Sequence, residues 1–186
     1  MYLRLIPKLQ RNVLKPWYPF ALGLAAIADH FVLVIPMDGL TIGSIFLAPK
    51  RWFRLSLGTA LGSVVGGALL AYLIQIYGIT ILDWAIPSIQ TKPLWLMTDR
   101  WVDQYGLWVL FVTALLPVPQ HPAIAIEALS GAGFSEILGV LLIGRLLKYF
   151  FFGYLASHAP EKLLRFRAIR GELEDLKPTI KPGSGV

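Results

Sequence analysis

Four apolar stretches divide the chain, and two of them are broken in the middle. Residues 55–79 run for 25 positions without a charge, and the interior of residues 136–156 is interrupted by Arg145 and Lys148. A membrane-crossing helix needs about 20 apolar residues, so both stretches are predicted as full spans. Residues 18–48 are as apolar but contain Pro36-Met37-Asp38-Gly39, and residues 106–132 contain Pro117, Pro119 and Pro122. Each proline removes a backbone donor and biases the residue before it away from the α region. The 31 residues of 18–48 are too many for one ordinary span and fewer than the roughly 40 that two spans need. Two re-entrant hairpins are therefore predicted, turning at Pro36–Gly39 and at 117–122. Arms of about 11 residues would reach about 16 Å, half of a roughly 30 Å hydrocarbon core. In lipid, broken backbone is tolerated only where protein or a water-filled cavity satisfies it, which puts the polar turns near the bilayer midplane.

Charge sets the orientation. Lys50, Arg51 and Arg54 follow the first hairpin, and Arg4, Lys8, Arg11 and Lys15 precede it. If positive flanks stay inside, both ends of 18–48 face the cytoplasm and the segment dips in and returns. Residues 1–17 are predicted as an interfacial amphipathic helix, with a bland amphipathic tail as the alternative. Residues 80–105 balance acids and bases and read as an outer loop followed by an amphipathic helix from Pro93. Residues 157–186 read as a cytoplasmic tail. The order of interfacial helix, broken hairpin and full span thus occurs twice. Pro36 stands 17 residues before Phe53, and Pro117 stands 17 before Phe134. The fold class expected is an all-α integral membrane protein, an inverted repeat of re-entrant helical hairpin plus transmembrane helix. Inverted repeats with broken helices meeting at the midplane are a transporter pattern.

Composition agrees with this class. The chain is 56% hydrophobic and 15% charged, against about 25% charged in a soluble domain. Its net charge of +6 is read as cytoplasmic anchoring rather than nucleic-acid binding. There is no cysteine, which excludes disulfides and thiol catalysis. No HExxH, Walker loop, GxSxG or nucleotide-binding glycine pattern is present, so no catalytic residue, metal ligand or cofactor is expected. Gly58, Gly62 and Gly66 recur every four residues and are expected to pack the first span on the second.

The Pro36-Met37-Asp38 turn, the cations of 50–54, the glycine-spaced span and the turn LLPVPQHP leading into SGAGF, in that order, resemble the DedA/VTT family (SNARE-associated Golgi proteins), in its smaller YqaA-like branch. The resemblance covers roughly residues 15–158. It implies two opposed re-entrant hairpins and lipid scrambling or flipping of polyprenyl-phosphate or phospholipid carriers, with proton dependence in some members. Asp38 matches the family's acid after the first-turn proline, and Asp29, with a spacing change, the acid that opens the hairpin. Ala114 and Gln120 stand where better-known bacterial members carry arginines, and Arg145 is the intramembrane arginine left to substitute.

The candidate substrate or proton pathway is Asp29, Asp38, Gln120, His121, Glu127 and Arg145, ionisable or amide groups at membrane depth, where a charge costs about 2.5–3.5 kcal/mol. The structural alternative is an internal ion pair, for example Glu127 with Arg145. His121 reads as a relay or as a partner for turn carbonyls, and His30 as a cavity or interface residue. Lys148 reads as snorkelling to cytoplasmic headgroups. Lys50, Arg51 and Arg54 read as headgroup-binding or as topology determinants. Expected partners are membrane lipids, anionic or phosphate-bearing, with no nucleic acid and with room for a homo-oligomer. The expected location is the bacterial plasma membrane with both termini cytoplasmic. The competing functions are a lipid transporter or scramblase, a proton-coupled transporter of a small solute or ion, and a non-transporting scaffold.

Overall fold

The computed structural model describes residues 11–32, 36–80, 88–118 and 120–158. Most of the expected interfacial helix 1–17, part of the loop 80–105, Pro119 and nearly all of the tail 157–186 lie outside these residues. The described chain is all-helical: α1 (Tyr18–Val32), α2 (Met37–Leu47), α3 (Trp52–Tyr77), α4 (Pro93–Tyr105), α5 (Leu107–Leu115), α6 (His121–Leu129) and α7 (Phe134–His158), with short 3-10 turns at Pro49–Arg51 and Ile89–Thr91. Among the described residues two helices are long and apolar enough to cross a membrane, α3 together with its leading turn (Pro49–Tyr77) and α7.

α3 and α7 run antiparallel. Leu55 near the start of α3 shares an apolar cluster with Phe152 and Ala156 near the end of α7. Leu70, Ala71 and Ile74 near the end of α3 share another with Ile137 and Leu141 near the start of α7. The first cluster also takes Leu22 and Ala26 of α1 and Ile42 and Ile45 of α2. The second takes Leu110 of α5 and Ile124 of α6. The two broken segments thus pack at opposite ends of the α3–α7 pair.

Within the first segment α1 and α2 double back on each other. Tyr18 Oη of α1 meets Ser44 Oγ of α2 at 3.0 Å, while Thr41 Oγ1 ties α2 to α3 at Thr59 Oγ1, 3.1 Å away. The second helix begins inside the predicted turn. Pro36 is the N-cap of α2, and Asp38 and Gly39 already lie in its first turn. The cause is local: Pro36 has no N–H to give to a preceding helix, while its carbonyl accepts from Leu40 N (2.9 Å), and Asp38 suits the positive end of the new helix. The second break is similar. Gln120 caps α6, and Pro122 sits in its first turn, where a missing donor is harmless.

The glycine stripe has a different partner from the one expected. A Cβ on Gly58 would meet the Pro19 carbonyl, one on Gly62 would meet the Gly23 carbonyl, and one on Gly66 would lie 2.7 Å from His30 Nδ1. Gly58, Gly62 and Gly66 therefore receive α1, not the other long helix. α7 packs on an adjoining face of α3, where Leu141 reaches Gly67 and Ser56 abuts Gly153. The reason is mutual smallness: α1 offers Gly23 to the stripe, and backbone contact needs small residues on both helices. Two further glycines set chain direction. Gly106 (φ +55) turns α4 into α5, and Gly131 (φ +85) ends α6, with Ala132 N bonding back to the Glu127 carbonyl (3.3 Å).

Candidate functional site

Between the two apolar clusters lies a layer of buried polar side chains. α7 contributes Arg145, Lys148 and Tyr149, three and four residues apart and therefore on one face. All three are buried, with Arg145 5% and Lys148 4% exposed, so this is the inward face of a helix otherwise suited to lipid. Lys148 Nζ sits 2.6 Å from Asp38 Oδ2. The Tyr149 hydroxyl points at the same carboxylate, and its ring lies under Lys148 Nζ (5.6 Å) and Arg145 Cζ (6.0 Å). The ion pair ties the first turn of α2 to the middle of α7. Lys148, expected to snorkel, instead turns inward: its ammonium is buried and paired with a carboxylate.

The second half of the layer joins the two broken segments directly. His30 Nδ1–H donates to the Ala26 carbonyl (2.9 Å), and Gln120 Nε2 donates to His30 Nε2 (3.0 Å). A carbonyl only accepts, so the proton is on Nδ1 and the imidazole is neutral with both nitrogens used. Gly66 and Gly67 make room for this ring. The His121 ring stands 5.3 Å from it and lies beside the Asp29 carbonyl without a well-formed hydrogen bond. Buried atoms left without a protein partner cluster here: Gln120 Oε1, both His121 ring nitrogens and Arg145 Nε. Arg145 acts electrostatically on both histidines, and Asp29 acts on Tyr149.

Of the residues singled out from the sequence, Asp29, Asp38, Gln120, His121 and Arg145 come together in this layer. Glu127 does not. It lies at the far end of α6, buried, with Oε1 unpartnered, and no ion pair with Arg145 forms among the described residues. Lys50, in the 3-10 turn before α3, and Arg54, in the first turn of α3, are exposed, and Arg51 Nη1 donates to the Lys15 carbonyl (3.0 Å). Three members escaped the sequence reading: His30 as a bridging group, Lys148 as an ion-pair partner, and Tyr149. The spacing of Arg145, Lys148 and Tyr149 held the signal, since an inward arginine brings its i+3 and i+4 neighbours inward with it.

A lateral cleft of about 360 Å³ adjoins the layer, lined by Leu115, Leu116, Pro117, Leu147, Lys148, Phe151 and Phe152. On the other side of Phe152, the crevice around Asp38, Thr41 and Tyr149 has no room for a water molecule. Among the described residues no group of three or more His, Asp or Glu is placed to hold a metal ion. No protein-family model matches the chain. No solved structure matches it. A Haemophilus influenzae protein, described only as uncharacterized, is 25% identical over 146 residues, which cover 77% of this chain and 74% of that protein.

Proposed function

We propose that the chain is a membrane transporter of the DedA/VTT type that moves or scrambles phospholipid or polyprenyl-phosphate lipid across the bilayer. One observation carries the reading: a layer of charged and amide side chains lies halfway along two antiparallel helices of membrane-crossing length, where two broken segments from opposite ends meet. That arrangement supports reading the broken segments as two re-entrant hairpins of an inverted repeat, with their tips at the bilayer midplane. Charges at that depth are tolerated when they pair or face water, and they mark substrate paths. Asp38–Lys148 supplies the paired element. Gln120 Oε1, His121 and Arg145 Nε supply polar atoms that a passing headgroup or its water can satisfy. The exposed cations Lys50 and Arg54 suit the cytoplasmic surface of a bacterial plasma membrane.

Reconstitution tests it. Liposomes holding the purified chain and a trace of fluorescent lipid are treated with dithionite, which bleaches only the outer leaflet. Bleaching past half of the signal, with anionic or polyprenyl-phosphate probes, is the expected result. A plateau at half for every probe would refute the proposal. A proton-coupled transporter of a small solute is the second reading, favoured by the His30–Gln120–His121 contact between the two segments. It requires solute flux that follows a pH gradient and is lost in Asp38→Asn.

A further inference from the structure

Lys148 belongs to two environments. Its ammonium holds Asp38, and its side chain also forms part of the wall of the lateral cleft, where it is the one charged residue among apolar neighbours. Leu116, Leu147 and Phe151 on that wall are 47%, 52% and 54% exposed. On a membrane-crossing α7 this exposed surface faces acyl chains. A space of 360 Å³ corresponds to about twelve water volumes, enough for a phosphate and the first methylenes behind it but not for a whole lipid. The tails would remain in the bilayer. The crevice on the Asp38 side has no room for a water molecule, so the cleft is the larger space beside Lys148.

We propose that the cleft between α5 and α7 is an entry site for an anionic lipid, whose headgroup oxygen competes with Asp38 for Lys148. This rests on the lipid-transporter reading and adds where the lipid enters and what it displaces. Lysine carries three rotatable donors on a flexible four-carbon stem, so its ammonium can exchange one oxygen partner for another without moving the backbone. The apolar wall selects a lipid over free phosphate, and the single cation selects an anionic headgroup over a zwitterionic one. When Lys148 turns to the lipid, Asp38 loses its ion pair to α7, and the Tyr149 hydroxyl and the apolar contacts of Ile42 and Ile45 remain to hold α2. Lipid entry and loosening of the α2–α7 contact are then one event.

The full chain lacks cysteine, so a single fluorophore can be placed through Ile143→Cys, exposed on α7 one turn before the cleft residue Leu147. Liposomes carry nitroxide-labelled phosphatidylglycerol or the matching phosphatidylcholine. Half-maximal quenching is expected at about tenfold lower mole fraction of the anionic lipid, the size of one charge-assisted contact. Asp38→Asn, which removes the competitor, should increase that preference, and Lys148→Gln should abolish it. If Lys148→Gln does not fold, the paired variant Asp38→Asn/Lys148→Gln, which buries no lone charge, and Leu116→Trp, which fills the cleft with the ion pair intact, must each abolish it. Equal quenching by the two lipids in the native chain overturns the proposal, and so does a preference that survives the paired variant. Dithionite bleaching on the same liposomes separates the two claims. Transport without preference refutes the entry site alone, and preference without transport refutes the transporter reading alone.

Discussion

Lys148 shows how one contact can govern a buried charge. An ammonium at 4% exposure survives because Asp38 Oδ2 is 2.6 Å away. Such a pair adds little net stability, since desolvation offsets most of the attraction, but breaking it strands a charge. Lys148→Met should therefore destabilise the protein by about 3–5 kcal/mol, and Asp38→Asn/Lys148→Met should recover most of that loss. Thermal unfolding in detergent, followed by circular dichroism, measures both. A paired variant no more stable than Lys148→Met would show that Asp38 is not the partner that matters. The acids and the arginine of this layer were legible in the sequence because ionisable residues are conspicuous in apolar runs. Their pairing was not. Asp38 and Lys148 are 110 positions apart, and no local pattern links them.

At the scale of elements, prolines and glycines govern where helices stop and how closely they approach. Proline chemistry located the breaks near 36 and 117–122 to within a few residues. At the first break Pro36 serves as a cap, which starts α2 inside the predicted turn and draws Asp38 into its first turn. Glycine spacing revealed that α3 accepts a close neighbour without saying which. The stripe seats α1 because Gly23 lies opposite Gly62. Gly62→Ala should then destabilise the protein by about 1–3 kcal/mol through overpacking against backbone. Gly139→Ala, where a Cβ meets nothing within 4 Å, should leave the melting temperature unchanged or raise it. Equal effects at the two positions in a detergent melt would contradict the close α1–α3 contact.

For the whole molecule, the decisive feature is that two apolar clusters sit at opposite ends of an antiparallel helix pair with polar groups between them. If α3 and α7 cross a bilayer, Phe53 (52% exposed) and Tyr105 (55% exposed) belong to opposite faces. Single cysteines at these positions should react with a membrane-impermeant maleimide from opposite sides of oriented vesicles. Labelling of both from the same side would rule out this orientation. The amino-acid order was enough to establish helices, their breaks and two lengths suited to a bilayer, because hydropathy, proline and glycine act over a few neighbouring residues. Which helix fills the glycine stripe, that His30 reaches Gln120, that Lys148 turns inward and that Glu127 stands apart all depended on folding. Those outcomes are settled by contacts between segments tens of residues apart, where shape and the need to pair buried charges choose among partners that local pattern leaves equivalent.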